Sequence, residues 1–525
     1  MIGRGFGKRA GAVLALGVAV ALVETLLVAP TARAAGDVGH QDGSYAGAGQ
    51  LSLESATADK PQSKLWFNDG LWWADMFEPT SKTWHIFKLN RSTQKWADTG
   101  TTLDSRVDTR ADTLWDGKHL YVASNVVAAG SASSASGSPA KLFRYSYTAA
   151  KNSYKLDAGY PVDINNVSSE SLSIDRDSKG VLWATWTQGQ KVYVNSTSGG
   201  DSQWGTPYAL PVSGATNLSS DDISAISAYG SKIGVLWSNQ ATQTFYFASH
   251  TDGGGPSSWS GSAVSSGLNS ADDHVAIRQV QGDKAGRLFA AVKTSADLGS
   301  DTSAGQIQLL VRDPGTGEWT ATTFGTVGDC HTRPVVMIDA THQVLHMFAT
   351  APSSGVSGCP HTGTPGTIYE KTTPLSKIAF APGRGTPVLE DSAAASMNDV
   401  TSTKQTITSA TGLVILASNT GTQRYWHADL PVAGAAASRP AVRPAVTFTA
   451  TRASAKAFRT IRFRSASRGP VVRWTWNFGD RKSAKGRTAS HTYVKPGRYR
   501  VVLTGWTAKG VRVTSTRTVV VARPR

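Results

Sequence analysis

The chain has 525 residues, of which 40% are hydrophobic and 17% are charged. This composition is apolar enough for folded cores and excludes a largely disordered chain. A content of 52 Gly and 16 Trp against only 5 Met favours turn-rich, all-β structure. Beyond the first 35 residues no apolar stretch is long enough to span a bilayer, so the body of the chain is not predicted to lie in a membrane.

Residues 1–34 have the features of an export signal. A basic start with Arg4, Lys8 and Arg9 precedes the apolar run Ala10–Val23, and Ala32-Arg33-Ala34 is a small-residue cleavage pattern. The uncharged run of 14 residues is too short for a membrane anchor. We therefore expect a mature protein that begins near Ala35, is secreted and extracellular, keeps no transmembrane segment and associates with the cell wall.

The two cysteines of the chain, Cys330 and Cys359, become interpretable once export is assumed. An oxidising compartment favours a disulfide between them. The neighbouring His331 and His361 raise zinc as an alternative, but the spacing fits no common zinc pattern. We predict the disulfide, and no metal ligands.

The net charge of +16 is unevenly distributed. Residues 431–525 contain 16 Arg and 5 Lys against a single acid, Asp480, which gives +20 there and leaves −4 for residues 1–430. Residues 431–444 are rich in Pro, Ala and Gly, a composition typical of a semi-extended linker. The sequence thus predicts a mildly acidic domain at 45–430 joined to a strongly basic one at 445–525.

A repeat organises the larger domain. A leucine followed by aromatic or apolar residues recurs seven times, at steps of 49 to 68 residues, beginning at Leu71, Leu120, Leu182, Leu236, Leu288, Leu345 and Leu413. Turn residues precede most copies, and two further β-rich runs follow most of them. Four strands per repeat predict a seven-bladed β-propeller. The last repeat lacks an outer strand, for which Gln50–Glu54 is the candidate.

Two stretches resemble known families. Ser173–Trp183 looks like the turn of sialidase-type (BNR-like) propellers, in which this turn is an element of the fold. Trp474–Asp480 followed by His491–Leu503 closely resembles a PKD domain. That resemblance implies an Ig-like β-sandwich of the kind found in secreted or surface proteins. Arg481 stands where the family usually has a second glycine.

Polar residues that enter the first strand of each blade are predicted to meet at one mouth of the central channel. They are expected to act in catalysis or to bind ligand. The catalytic candidates are Glu170, Asp222, His274, His331, Arg333 and Asp399, and the ligand-binding candidates are Arg106, Asp108 and Asp273.

Four interpretations of this ring remain open. The side chains could cap strand ends and satisfy backbone N–H groups. Paired carboxylates could hydrolyse glycosides, whereas a histidine with an arginine could eliminate across a uronic acid residue, as a lyase does. The propeller could also be a non-catalytic, lectin-like adhesion protein. No cofactor is expected, because calcium would suit the carboxylates but no Asp-x-Asp-x-Asp-Gly loop supports it.

The basic domain is predicted to retain the protein on an anionic surface polymer, while the propeller acts on or binds a polysaccharide or cell-wall glycan. Such a dense positive field attracts polyanions. No motif for reading nucleic-acid sequence is present, so no specific nucleic-acid partner is expected. The candidate contacts are Arg459, Arg462, Arg464, Arg473, Arg481 and Lys482.

Overall fold

The computed structural model describes residues 36–49, 55–57, 61–277, 282–353, 359, 366–393, 396–432, 445–451, 454–468, 471–507 and 512–523. The predicted signal at 1–34, the candidate strand Gln50–Glu54 and residues 433–444 of the predicted linker lie outside these ranges. Among the described residues, no helix combines the length and apolarity needed to cross a membrane.

Seven antiparallel sheets follow one another along the chain as blades 1 to 7. Blade 1 contains Leu65–Asn68, Leu71–Glu78, Thr83–Asn90 and Lys95–Asp104. Blade 2 contains Thr109–Trp115, His119–Val126, Lys141–Thr148, Ser153–Leu156 and Val162–Asp163. Blade 3 contains Leu172–Arg176, Leu182–Gln188, Lys191–Ser196 and Tyr208–Ala209. Blade 4 contains Ser224–Tyr229, Lys232–Asn239, Thr244–Thr251 and Trp259–Ser266.

The remaining blades follow the same order. Blade 5 contains Val275–Ile277, Leu288–Lys293, Gly305–Arg312 and Trp319–Thr326. Blade 6 contains Thr332–Asp339, Val344–Ala351, Thr367–Pro374 and Thr386–Leu389. Blade 7 contains Met397–Thr401, Leu413–Asn419, Arg424–Leu430 and His40–Ser44. Short 3₁₀ helices are described at Ser131–Ser133, Ala149–Lys151, Gln240–Thr242, Ala296–Leu298 and Val327–Asp329. The predicted seven-bladed propeller is confirmed.

The N-terminal strand closes the ring, but it is not the strand expected from the sequence. His40–Ser44 pairs antiparallel with Arg424–Leu430, with His40 opposite His427. The expectation that the N-terminus completes the last blade is therefore right, with His40–Ser44 as the fourth strand, while the candidate Gln50–Glu54 lies outside the described residues. His40–Ser44 escapes sequence prediction because an outer strand lies at a sheet edge, where it needs little apolar patterning. Within His40–Ser44 only Asp42 is buried.

Local turn chemistry sets the register of the hairpins. In blade 1, Asp69 and Gly70 join Asn68 to Leu71, and both have positive φ, 53° and 74°. Two such residues in succession form the turn that matches the twist of a hairpin, and glycine takes this conformation without steric cost. The leucine that begins each repeat is thereby placed on the second strand of its blade.

Apolar side chains fill the spaces between blades. Trp72 and Trp73 of blade 1 are fully buried in a cluster that also contains Leu120 of blade 2 and Leu416 of blade 7. The Trp72 indole N–H donates to the Thr411 carbonyl at 2.9 Å, so its polar atom is satisfied in the core. The repeated leucine and tryptophan positions therefore serve packing between neighbouring sheets.

Buried polar groups join the inner strands around the axis. Asp112 of blade 2 accepts hydrogen bonds from the backbone N–H of Ser63 and of Ile174, both at 2.8 Å, and from the Lys404 ammonium at 2.5 Å. The Leu65 N–H donates to the carbonyl of Ser402 at 3.1 Å, which connects blade 1 to the chain after the inner strand of blade 7. These bonds hold several blades in register at once.

The C-terminal domain is a two-sheet β-sandwich, as predicted. One sheet contains Ala445–Ala450, Thr460–Arg468 and Thr488–Thr492. The other contains Ser454–Lys456, Val471–Asn477, Ser483–Lys485, Gly497–Thr507 and Arg512–Ala522. Asp480 pairs with His491 at 2.7 Å, which joins the two sequence motifs of the domain. Arg481 has φ 69°, so it adopts the left-handed conformation that the more usual glycine would take.

The predicted disulfide between Cys330 and Cys359 is confirmed, with Cα atoms 5.3 Å apart. This separation lies within the ordinary range for a disulfide. Cys330 lies two residues before the inner strand of blade 6, so the bridge ties the start of that strand to the segment that follows its hairpin partner.

Candidate active site

The seven inner strands begin at the same end of the ring, which we call the mouth. Arg106, Glu170, Asp222, His274 and His331 each lie one to three residues before an inner strand. Asp399 lies within the short inner strand of blade 7, and Arg333 is the second residue of the inner strand of blade 6. Their side chains nevertheless have very different surroundings.

Blades 5, 6 and 7 bring some of the predicted residues together. The Arg333 Nε donates to the Asp399 carboxylate at 3.0 Å. The Thr332 hydroxyl lies 3.5 Å from His274 Nε2. Two contact groups are described here, one of Asp272, Asp273, His274 and Lys293 and the other of Arg333 and Asp399, and the Thr332–His274 contact links them. We call these six residues together the mouth cluster.

His274 is the centre of this cluster. Its Nδ1 lies 2.5 Å from Asp272 and 2.5 Å from Asp273. Two carboxylates at one ring nitrogen favour a proton on that nitrogen, so in the neutral imidazole the lone pair is on Nε2. Since His274 is 7% exposed, Nε2 belongs to a site with little water around it. The arrangement suits a group that removes a proton from a ligand.

Lys293 compensates the negative charge of the cluster. Its ammonium contacts the second oxygen of Asp272, and both side chains are largely buried. Burial raises the pKa of Asp272, and His274 opposes that shift. Asp272, Asp273 and His274 offer three ligand atoms within 4.8 Å of one another, the arrangement of a small cation site. The Lys293 ammonium already supplies positive charge there, and we assign no metal to the cluster.

Arg333 and Asp399 form an ion pair on an unusual backbone. Their φ angles are 53° and 48°, in the left-handed region that costs a residue with a side chain free energy. The side chain of Arg333 is 26% exposed and that of Asp399 is 6% exposed. Asp399 thus holds a guanidinium that an anionic ligand can reach.

Arg106 and Asp222, although predicted for the site, make contacts that stabilise the fold. Arg106 binds Asp104 through two nitrogens, the shorter contact being 2.6 Å, and donates to the Pro139 carbonyl at 2.7 Å. Asp222 is fully buried and accepts the backbone N–H groups of Ser219 and Gln240. For these two residues the structure favours the capping interpretation.

His331 packs inside the protein and faces no solvent. It is fully buried, with its ring edge-on to Phe324 and Tyr369 and its Nε2 3.0 Å from the carbonyl of Arg384. Burial lowers the pKa of His331 to about 4, and the Lys371 ammonium adds to the effect. A catalytic role is therefore not compatible with this placement, because a substrate has no access to the ring.

The remaining predicted residues are the catalytic candidate Glu170 and the ligand-binding candidates Asp108 and Asp273. Glu170 is half-buried before blade 3, and Asp108 is exposed before blade 2. Asp273, by contrast, belongs to the mouth cluster.

Sequence reasoning missed two members of the cluster. Asp272 begins the run Asp-Asp-His and was visible as a neighbour of the chosen residues. Lys293 is the single charged residue at the end of the otherwise apolar strand Leu288–Lys293. A buried lysine in such a strand needs an anionic partner, and this was the signal that could have identified it.

The polyanion candidates all have exposed side chains on the sandwich. Arg462 and Arg464 alternate along their strand with Ile461 and Phe463, which point into the core. The two arginines therefore lie on the outer face of the three-stranded sheet. The guanidinium of Arg473 lies 4.5 Å from the ring centre of Trp506 on the other sheet. Arg459, Arg481 and Lys482 lie at turns.

Sequence comparison identifies one of the two domains. Residues 438–521 match the family model of the PKD domain. The C-terminal domain is a PKD domain. No curated protein shows a significant match to the chain.

Several solved structures are similar in part. The PKD1 domain of Vibrio anguillarum Epp is 26% identical, over 15% of this chain and 95% of that one, with a TM-score of 0.14. A carbohydrate-binding module of the β-sandwich superfamily is 23% identical over 15% of this chain, with a TM-score of 0.15, and only 34% of that chain is covered. Polysaccharide lyase Uly1 is 10% identical, over 74% of this chain and 98% of that one, with a TM-score of 0.41. Similarities at this level carry no conclusion about activity.

Proposed function

We propose that the protein is a secreted enzyme whose propeller cleaves an acidic polysaccharide at the mouth by β-elimination. The observations that support this most directly are His274, whose Nδ1 is held by two carboxylates, and the part-exposed guanidinium of Arg333 in the inner strand of the next blade. Elimination needs a base for the proton next to a uronic carboxylate and a cation to hold that carboxylate.

In the proposed reaction, His274 Nε2 takes the C5 proton of a uronic acid residue. The C5–H electron pair forms the C4=C5 double bond, and the bond from C4 to the glycosidic oxygen breaks with its electron pair. The leaving oxygen takes a proton from the imidazolium or from water. Arg333 pairs with the substrate carboxylate, whose negative charge grows as the C5 proton leaves.

Asp222 and the carboxylates of the mouth cluster favour elimination over hydrolysis. Glycoside hydrolysis requires one carboxyl group as acid and a second one as base or nucleophile. Asp222 is occupied by backbone N–H groups, and Asp399 is paired with Arg333. Asp272 and Asp273 both face the same histidine nitrogen. Elimination by a histidine base and an arginine requires no unpaired carboxyl group, so it is compatible with these contacts.

The basic PKD domain fits a role in retention. Its formal charge of +20 on residues 431–525 exceeds what solubility requires. In the proposal, the domain holds the secreted enzyme on an anionic polymer at the cell surface or wall, and the attraction weakens as salt is added.

The test is an activity screen of the mature full-length protein on neutral and uronic polysaccharides. Elimination produces an unsaturated end that absorbs in the ultraviolet together with a new reducing end. We expect both signals on a uronic polymer, their loss in His274→Gln, and an increased KM in Arg333→Gln. His119→Gln, a half-buried histidine outside the mouth cluster, serves as control.

Each alternative gives a different result in the same screen. Reducing ends without ultraviolet absorbance would replace elimination by hydrolysis. Binding without any cleavage would make the propeller a lectin-like protein. Full activity of His274→Gln would remove the proposed base.

A further inference from the structure

The outer face of the three-stranded sheet of the PKD domain carries an ordered set of polar side chains. Arg464 lies in register with Thr449 on one neighbouring strand and Thr488 on the other. Arg462 lies opposite Ser490, and on its other side its backbone N–H donates to the Thr451 hydroxyl at 3.2 Å. The face therefore contains two parallel rows, each with an arginine between two hydroxyl side chains.

These rows line a surface groove of about 530 Å³. Its polar lining consists of Thr449, Thr451, Arg462, Arg464, Thr488 and Ser490. The strand that carries the two arginines is anchored by Ile461 and Phe463, which are 0% and 1% exposed and belong to the sandwich core. The arginines thus project from a rigid sheet, which reduces the conformational entropy that binding would cost.

The chemistry of the rows suits an acidic sugar chain. A guanidinium can donate two parallel hydrogen bonds to one carboxylate. The hydroxyls on either side can donate to or accept from sugar hydroxyls. Two residues along a strand span roughly 7 Å, so successive charged groups of one extended polymer can meet Arg462 and Arg464. The charge of +20 on residues 431–525 complements such a polymer.

We propose that this groove binds the same uronic polysaccharide that the propeller cleaves, as a second site for the polymer. The proposal rests on the function proposed above for its choice of polymer. Holding the polymer at two sites on one chain raises the effective concentration of substrate at the mouth. An oligosaccharide short enough to be held by the mouth alone gains nothing from a second site, so the groove is expected to matter for long substrates only.

The experiment compares two double variants of the full-length mature protein. Arg462→Gln/Arg464→Gln removes the groove cations. Arg498→Gln/Arg500→Gln removes two exposed arginines with the same spacing from a strand of the other sheet, so both variants lose the same charge. Binding to polygalacturonate is measured by calorimetry at fixed salt, and unfolding temperatures verify that both variants fold.

We expect affinity for polygalacturonate to fall about tenfold in the groove variant and less than about twofold in the matched variant. The rate on a short oligogalacturonide should be unchanged in both. Equal losses in the two variants would overturn the groove and leave only the overall charge. Equally tight, groove-dependent binding of single-stranded DNA would overturn the choice of a sugar acid.

The two proposals fail in distinguishable ways. If the propeller cleaves no uronic polymer, the cleavage assay is negative for the wild type, while the affinity difference between the double variants is still measurable. If the groove is wrong, cleavage persists and that difference disappears.

Discussion

The side chains of His427 and Asp42 join the two ends of the propeller, with Nδ1 and the carboxylate 2.6 Å apart and both side chains almost completely buried. The other ring nitrogen of His427 lies 3.0 Å from the Gln94 Oε1. The Gln94 amide nitrogen already donates to the Arg91 carbonyl and to Asp429, which fixes the orientation of that amide. Both nitrogens of His427 therefore face acceptors, and the pair with Asp42 holds one shared proton.

The first prediction concerns this closure. Asp42→Asn should lower the free energy of unfolding by about 3–5 kcal/mol, because it removes one partner of a buried pair and leaves the other without compensation. Burial raises the pKa of Asp42 and His427 opposes that shift, in keeping with a pair inside the protein. The measurement is denaturant unfolding of the mature protein.

Glu318→Gln changes an exposed carboxylate and should alter the same quantity by no more than about 0.5 kcal/mol. Identical stability of the two variants would show that the N-terminal strand is held by its backbone pairing alone.

The second prediction concerns the sensitivity to acid that His331 confers on the folded protein. Its pKa is about 4 in the folded protein, against about 6.5 in an unfolded chain. Between these pH values the unfolded state binds more protons than the folded state. The contribution of neutral His331 to the free energy of unfolding is therefore complete above pH 6.5 and is lost as the pH falls towards 4. Linkage gives a loss of about 3 kcal/mol over this range.

His331→Phe keeps a buried ring and removes the titration. We expect the unfolding free energy of this variant to depend less on pH between 6.5 and 4 than that of the wild type. The comparison uses the slope of the unfolding free energy against pH. A pH-independent loss of stability, caused by removing the hydrogen bond to the Arg384 carbonyl, therefore does not affect it. Parallel curves for the two proteins would contradict the assignment, and unchanged cleavage of substrate by the variant is expected at neutral pH.

The third prediction concerns the disulfide. Cys330→Ala/Cys359→Ala should lower the free energy of unfolding by about 3–4 kcal/mol, as the chain-entropy relation gives for a bridge across 29 residues. Reduction of the wild type should reproduce the effect, and reductant should leave the double variant unchanged. Since Arg333 follows Cys330 by three residues, KM for a uronic polymer should rise as well. A destabilised variant with normal KM would separate the bridge from the site.

Periodic features of the fold were readable from the sequence. The leucine repeats mark second strands that are buried on both faces, and a packing requirement of this kind leaves apolar runs wherever it occurs. The PKD domain could be recognised because its two sequence motifs depend on each other. Asp480 in the first motif pairs with His491 in the second, so a sequence that forms this contact carries both. His40–Ser44 escaped detection because an edge strand with a single buried side chain has no periodic pattern.

The candidate site could be predicted only in part. The repeat placed the candidate residues near the starts of the inner strands, but a repeat in the sequence does not determine where each side chain points. Arg106 forms an ion pair with Asp104, two residues before it, and His331 packs against aromatic rings. His274 is held by its sequence neighbours Asp272 and Asp273, whereas Arg333 pairs with Asp399 on another blade, and a partner of that second kind depends on the completed ring.

The last prediction tests whether Asp272 and Asp273 position the His274 base. Asp272→Asn/Asp273→Asn removes both anions from Nδ1, so the ring is no longer held with its lone pair on Nε2. We expect kcat on a uronic polymer to fall about 100-fold, the lower end of what proton transfer contributes, with KM changed less than about threefold. Asp221→Asn, an exposed carboxylate before blade 4, is the matched control and should leave kcat unchanged. A lower kcat accompanied by a lower unfolding temperature would assign the two carboxylates to folding of the mouth alone.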